Sequence, residues 1–471
     1  MTASEQVARH VQRVWADEIV PQLCEYIAIP CVSPDYDQEW KAHGHLDRAV
    51  QQIQAWCAAR AVAGLTVEVI ELPGRTPLIL AEVPAFGGGS NDDTVVLYGH
   101  FDKPPEMTGW RDDLGPWTPV IEGDRLYGRG GADDGYSAFA SLLAIEAAQA
   151  AGLAHTRLIV LIEGSEESGS PDLPAYIKEL KDRIGSPTLV LCLDSGCIDH
   201  ERLWVTTSLR GLVSGVLRVD VLTEGVHSGE ASGVVPSSFR IARQLLDRLE
   251  DSTTGRLLLP ELHAEVPADR LQQTTDTAAQ FPIQHHYPWA GGTQPMAADA
   301  TEQLLGRTWT PTLSITGVDG IPSLGSAGNV LRPHTSLLLS LRLPPTADAQ
   351  RALQAVHDCL TTNPPYGATV QFTDTNEASG WNAPSFAPWL QTALDHASEA
   401  TFGNPSMAFG EGGSIPFMGM LGEMFPESQF VITGVLGPGS NAHGPNEFIH
   451  LPTAVKLTEC LAHVLHAHAT R

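Results

Sequence analysis

The chain has 471 residues, 42% of them hydrophobic and 18% charged, and 55 acidic against 28 basic residues give a net charge of −27. That length exceeds one ordinary hydrophobic core and the composition is globular, so two or three domains are expected. The acidic balance argues against nucleic acid or an anionic membrane as partner, because both need a positive face.

Residues 7–29 read as an amphipathic helix that stops before Pro30, and 46–61 as a second helix. The opening residues Met1-Thr2-Ala3-Ser4-Glu5 carry no basic region followed by an apolar core, and no apolar run reaches about 18 residues; a cytoplasmic protein without a membrane span is the expectation. The seven cysteines are odd in number and form no Cys-x-x-Cys, which argues against a disulfide framework or a thiolate zinc site. Strands follow near 65–72, 77–83, 94–100, 157–162 and 188–194, with helices at 136–151 and 173–181. This alternation predicts an α/β fold, a mixed and mostly parallel sheet covered by helices. The character changes near Leu209. Residues 212–221 alternate like a half-exposed strand, 236–249 read as a helix, and 251–307, rich in Pro, Gln, Thr and Ala, reads as irregular. Strands at 311–317 and 335–342 and a helix at 348–360 come next. A strand near 368–373, a helix at 388–400, a strand near 430–435 and a final helix then resume the larger domain. The expected division is 1–208, an inserted α+β segment 209–345, and 346–471.

Several acidic and histidine residues stand where such strands end. His100 closes Thr94-Val95-Val96-Leu97-Tyr98-Gly99, Glu166 and Glu167 follow Leu158–Ile162, and Asp194 closes Leu189–Leu193. His443 lies in a Gly/Pro loop beyond Phe430–Val435, and Asp133-Asp134 precede a helix. Open parallel sheets bind ligands at the carboxyl ends of their strands, so two histidines and several carboxylates there suggest a carboxylate-rich metal site. Each signal also has a plain structural reading. A strand-end histidine is as often structural, although Asp102 two residues on can hold its other ring nitrogen. Adjacent aspartates cap a helix or bridge two cations. Paired glutamates form a solvated turn, or one ligates while its neighbour takes a proton. Asp194 leaving a buried strand is costly unless it is paired, hydrogen-bonded or metal-bound.

In order and spacing, Gly99-His100-Phe101-Asp102, Gly130-Gly131-Ala132-Asp133-Asp134, Glu166-Glu167, Asp194 and His443-Gly444-Pro445-Asn446-Glu447 resemble the co-catalytic di-metal peptidase family of carnosinase-type dipeptidases, carboxypeptidase G, aminoacylase and succinyl-diaminopimelate desuccinylase. Gly225-Val226-His227-Ser228-Gly229, Asn329–Pro333, Leu341–Pro344 and Glu411–Pro416 extend the likeness and point to the carnosinase-like branch. The resemblance implies a phosphorylase/hydrolase-like catalytic domain with an inserted lid and dimerisation domain. It implies that Asp133 bridges two metals, that His100 and Asp194 complete one site, and that Glu167 and His443 complete the other. Glu166 would be the general base and Asp102 the residue that orients His100. His227 would reach the partner subunit's centre in a homodimer, and Asn329, Arg342, Gly412, Gly413 and Ser414 would hold the substrate's free carboxylate. Two divalent ions per subunit are implied, zinc first, with manganese or cobalt also suited to such donors. The implied reaction is hydrolysis of an amide bond beside a free carboxylate, in a dipeptide or, alternatively, in an N-acyl amino acid by a deacylase or desuccinylase. Two departures stand out: Gly135-Tyr136 where carnosinase-like members often have Lys-Gly, and Gly410 where they often have Arg. A catalytically silent scaffold and a metal-free anion-binding module are the competing classes; the intact Glu166 speaks against the first.

Overall fold

The computed structural model describes residues 1–413 and 416–471, and the side chains within them apart from those of His285, His286, Pro416 and Glu423. The chain forms two compact units. One comprises Met1–Thr207, Ala383–Phe409 and Met420–Arg471; the other comprises Ser208–Asn382 and Gly410–Gly419.

The first unit is built on a mixed sheet. Its early strands are β1 (Thr66–Ile70), β2 (Leu78–Val83), β3 (Thr94–His100), β4 (Arg157–Glu163) and β5 (Pro187–Cys192). They lie in the order β1-β2-β4-β3-β5, followed by Gln429–Ile432 and Trp204–Leu209. The first two strands and the last run antiparallel to their neighbours, whereas β4, β3, β5 and Gln429–Ile432 are mutually parallel. Every residue of β3 is buried, as are all of β4 after Arg157. Continuous β-branched and Leu runs fit such strands because both sheet faces are covered. The helix Ser137–Ala150 is buried at every position from Ser137 to Ala148. Covered on nearly every side and largely apolar, it has little face for water, and the helices Ala3–Val14 and Leu451–Thr470 pack against it. The N-terminal helix starts at a capping box, Thr2 Oγ1 accepting from the Glu5 amide at 3.2 Å and the Glu5 carboxylate accepting from the Thr2 amide at 2.7 Å. The parallel register pairs His100 with Glu163, Tyr98 with Cys192 and Ile432 with Cys192, so four carboxyl ends lie side by side.

The second unit has a four-stranded antiparallel sheet in the order Thr312–Asp319, His334–Leu343, Gly211–Asp220, Thr369–Ala378. Gly211–Asp220 alternates strictly between buried and half-buried residues. Val213, Leu217 and Val219 share a core with Ile241 and Leu245 of helix Ser238–Leu246 and with Val356 and Leu360 of helix Ala349–Thr361. Each such side chain contributes about 1.5–3 kcal/mol on burial.

Two expectations need correction here. Strand Thr369–Ala378 pairs with Gly211–Asp220, and helix Ala349–Thr361 covers the same sheet, so this unit runs on to Asn382 rather than closing at 345. The stretch 251–307 is not irregular throughout, since it contains helices Ala268–Gln280 and Ala300–Thr308. Their inward positions include Arg270, Thr274, Thr277 and Thr308, and polar residues on a buried face erase the apolar period by which a helix is read. No helix among the described residues is long and apolar enough to cross a membrane.

Candidate metal centre

Gly99 precedes the centre because nothing larger fits. A Cβ there would come within 2.0 Å of Ser137 Oγ and 2.6 Å of Asp134 Oδ2. That close approach lets the His100 amide donate to Asp134 Oδ2 at 3.2 Å, which ties the end of β3 to the turn Gly131–Gly135. His100 is 1% exposed. Its Nδ1 stands 3.1 Å from the Asp102 carbonyl oxygen and 3.4 Å from Asp102 Oδ1. Its Nε2 faces Asp133 Oδ1 at 3.2 Å and Asp194 Oδ2 at 3.8 Å. The other oxygen of Asp133 faces His443 Nε2 at 3.0 Å, and that nitrogen lies 3.2 Å from Glu167 Oε2. Asp133 therefore stands between two imidazoles, one oxygen to each. Asp102 holds the glutamate turn as well, its Oδ1 accepting from the Glu166 amide at 3.1 Å and its Oδ2 from the Glu167 amide at 3.0 Å.

Three overlapping groups could each hold a cation: His100, Asp133 and Asp194; His100, Glu166 and Glu167; Asp133, Glu167 and His443. The charges here show the strain of crowding carboxylates. Burial, reinforced by the Asp194 charge, pushes Glu166 well above the usual carboxylate range. Burial and Asp133 push Glu167 up to about 8. Hydrogen bonds to Asp133 and Glu167 raise His443 to about 11. Burial pulls His100 down, but its bonds to Asp102, Asp133 and Asp194 outweigh it and raise the ring well above its ordinary value. Burial opposes ionisation of Asp133, yet its two imidazole partners hold it low. Glu167 Oε1 is buried with no hydrogen-bond partner. Two buried and two half-buried carboxylates, two imidazoles and an orphaned carboxylate oxygen are a donor set that divalent cations would complete.

The loop carrying His443 is held from below by Glu447, which is fully buried. Glu447 does not touch His443. Its carboxylate pairs with the buried Arg129 and accepts from the Gly130 amide at 2.8 Å, three residues before Asp133. This carboxylate is therefore a brace between loop and turn. Arg129 went unsingled in the sequence; its only signal is a lone guanidinium inside Gly128-Arg129-Gly130-Gly131. Glu163 is another buried carboxylate missed there. It accepts from Tyr98 Oη at 2.7 Å and Ser170 Oγ at 2.8 Å and sits in the turn that presents Glu166. Burial lifts it to about 7.

The remaining expected residues belong to the second unit. His227 is exposed in the short strand Val226–His227, which pairs with Val330–Leu331, and its Nδ1 accepts from the Gly229 amide at 3.2 Å. The Asn329 carbonyl accepts from the Ser228 amide at 2.9 Å, joining these two motifs. Arg342 is half-buried in His334–Leu343, and burial lowers its pKa. Gly412 and Gly413 offer their carbonyl oxygens to Arg210, through its Nε at 3.4 Å and its amide at 2.9 Å. Ser414 lies outside the described residues. Gly410 is accounted for by space, since a Cβ there would meet Ser208 Oγ at 2.6 Å and Thr308 Cβ at 3.1 Å.

A mixed sheet with buried His and carboxylate ligand groups at its carboxyl edge defines a metal-dependent hydrolase scaffold, and the comparisons place it. Peptidase family M20/M25/M40 matches residues 96–467, and the chain belongs to that family. It is a metallopeptidase, as the resemblance read from its motifs implied. The chain is 25% identical over 371 residues to the cysteinylglycine-S-conjugate dipeptidase of Corynebacterium striatum, covering 77% of this chain and 78% of that one. It is 26% identical over 462 residues to the Cys-Gly metallodipeptidase DUG1 of Saccharomyces cerevisiae, covering 93% and 94%. The solved structure of that yeast dipeptidase superposes with a TM-score of 0.76 at 22% identity, covering both chains completely. A dinuclear metal binding peptidase of the M20 family from Bacillus subtilis shares the fold at a TM-score of 0.53 and 12% identity, covering 97% of this chain and 98% of that one.

Proposed function

We propose that this metallopeptidase is a dipeptidase that cleaves the amide bond beside a free terminal carboxylate, using two divalent cations, zinc first, around Asp133. The observation that carries this is the Asp133 carboxylate, with one oxygen 3.2 Å from His100 and the other 3.0 Å from His443. The dipeptidase activities of the bacterial and yeast relatives support the substrate class. His100 and Asp194 would hold one cation, Glu167 and His443 the other. Bound there, the pair would supply Lewis acidity that makes water a nucleophile near neutral pH and polarises a carbonyl.

The chain's own residues supply the rest. Glu166 takes a proton from the attacking water and delivers it to the leaving nitrogen. Asp102 accepts the amides of Glu166 and Glu167 and faces Nδ1 of His100, so one carboxylate sets the position of three groups. Arg342, Asn329, Gly412, Gly413 and Ser414 hold the substrate carboxylate, a guanidinium and backbone amides being suited to an anion. His227 polarises the carbonyl oxygen from the partner subunit of a homodimer. The protein is cytoplasmic, a reading supported by seven cysteines that form no disulfide among the described residues. A panel setting dipeptides against N-acyl amino acids, run on wild type and Glu166→Gln with metal measured on the same samples, tests this. Dipeptide turnover reduced about 10²–10⁴-fold in the variant, with metal retained, is expected. Unchanged turnover removes Glu166 from the reaction, and a preference for N-acyl substrates moves the protein to deacylases.

A further inference from the structure

The second unit contains a cavity of about 450 Å³ that the reaction above does not use. Its size falls in the range of small-molecule sites. Its lining is unusual for so acidic a chain. Arg210, Arg256 and Arg307 all face it, against one carboxylate, Glu302, on the exposed first turn of Ala300–Thr308. Arg210 is only 9% exposed. Burial, then the charges of Arg342 and Arg307, bring its pKa down to about 10, with Tyr287 acting the other way. Like charges crowded at a buried wall are stabilised by an anion brought between them.

A second observation comes from the aromatic part of the lining. Tyr287 and Trp289 line the same cavity yet stay 46% and 42% exposed, their rings edge to face with centroids 5.6 Å apart. Trp289 Nε1 donates to the Gln284 carbonyl at 2.7 Å, which fixes the indole in place. Met296 beside them is 85% exposed. Large apolar side chains held rigid and open to water mark a binding surface. Arg307 comes from the helix Ala300–Thr308 and Arg256 from the short strand Arg256–Leu257, whereas Tyr287, Trp289 and Met296 precede that helix in the chain.

We propose that this cavity binds a small organic carboxylate with a flat apolar body, the carboxylate toward Arg210 and Arg307 and the body against Tyr287 and Trp289. Such a group could come from a free effector, or from the terminal residue of a peptide substrate, whose carboxylate would then lie at Arg210 and Arg307 instead of at Arg342 and Asn329. The full chain is titrated calorimetrically with indole-3-acetate, with uncharged indole-3-ethanol and with acetate, and the same compounds are tested as inhibitors of the hydrolase. Binding of indole-3-acetate is expected to exceed that of each comparison compound at least tenfold. Arg307→Gln and Trp289→Ala should each weaken it by a similar factor; Trp289 is exposed enough for its variant to fold. Competitive inhibition assigns the site to the substrate's terminal residue, and non-competitive inhibition or activation assigns it to an effector. Absence of binding at millimolar concentration, equal binding of indole-3-ethanol, or undiminished binding in both variants overturns the proposal. Because binding is read directly, these results do not depend on whether dipeptides prove to be the substrates.

Discussion

His443 lies between two carboxylates, Asp133 and Glu167, that raise the pKa of its protonated ring to about 11, against an ordinary value of 6.5. The folded-state pKa is raised, so this proton's contribution to stability is complete below pH 6.5 and is lost as pH climbs towards 11. A cation taking the same place must displace it. Apparent metal affinity is therefore expected to rise from pH 6.5 to about pH 9, with protons released on binding. Titrating chelator-stripped protein in buffers of different ionisation enthalpy measures both. An affinity flat across that interval would show that His443 is not a ligand. The convergence of these groups was legible in the sequence. His100, Asp133, Glu167, Asp194 and His443 are each legible from the apolar run or glycine turn beside them. The role of Glu447 was not legible, because the sequence shows its proximity to His443 and not the direction of its side chain.

The loops that carry the ligands depend on buried polar struts. Glu447 links its own loop to the Gly130 turn through Arg129 and the Gly130 amide, and both side chains are fully buried. Removing one member of a buried ion pair strands the other charge and costs about 3–5 kcal/mol. Glu447→Gln is expected to lower stability in urea by that order. It should also weaken metal binding about 10–100-fold, the range seen when groups supporting ligands are lost. Loss of stability without loss of metal affinity would make the brace structural only. At this scale the sequence reads well where strands are buried on both faces and helices are amphipathic. It reads poorly in 251–307, where Arg270, Thr274 and Thr277 face inward and polar side chains stand where the pattern demands apolar ones. It also misplaces strand Thr369–Ala378, since a strand's partner across the sheet is not written in its own residues.

Across the whole molecule, the groups proposed to hold and serve the metals and those proposed to act on the substrate fall in different units. The first unit holds all the candidate metal ligands and Glu166, while His227, Asn329, Arg342, Gly412 and Gly413 fall in the second. If His227 serves the partner's centre, His227→Ala lowers turnover by about 10²–10³-fold, the effect of losing one oxyanion donor, and leaves metal content intact. A monomer by light scattering at micromolar concentration, with full activity, would contradict that role.

The central claim is that Asp133 is shared by two cations, and metal stoichiometry tests it most directly. Chelator-stripped wild type should take up two zinc equivalents per chain, Asp194→Asn and Glu167→Gln should each lose one, and Asp133→Asn should weaken both. Saturation of the wild type at a single equivalent, or loss of only one ion in Asp133→Asn, would contradict the account.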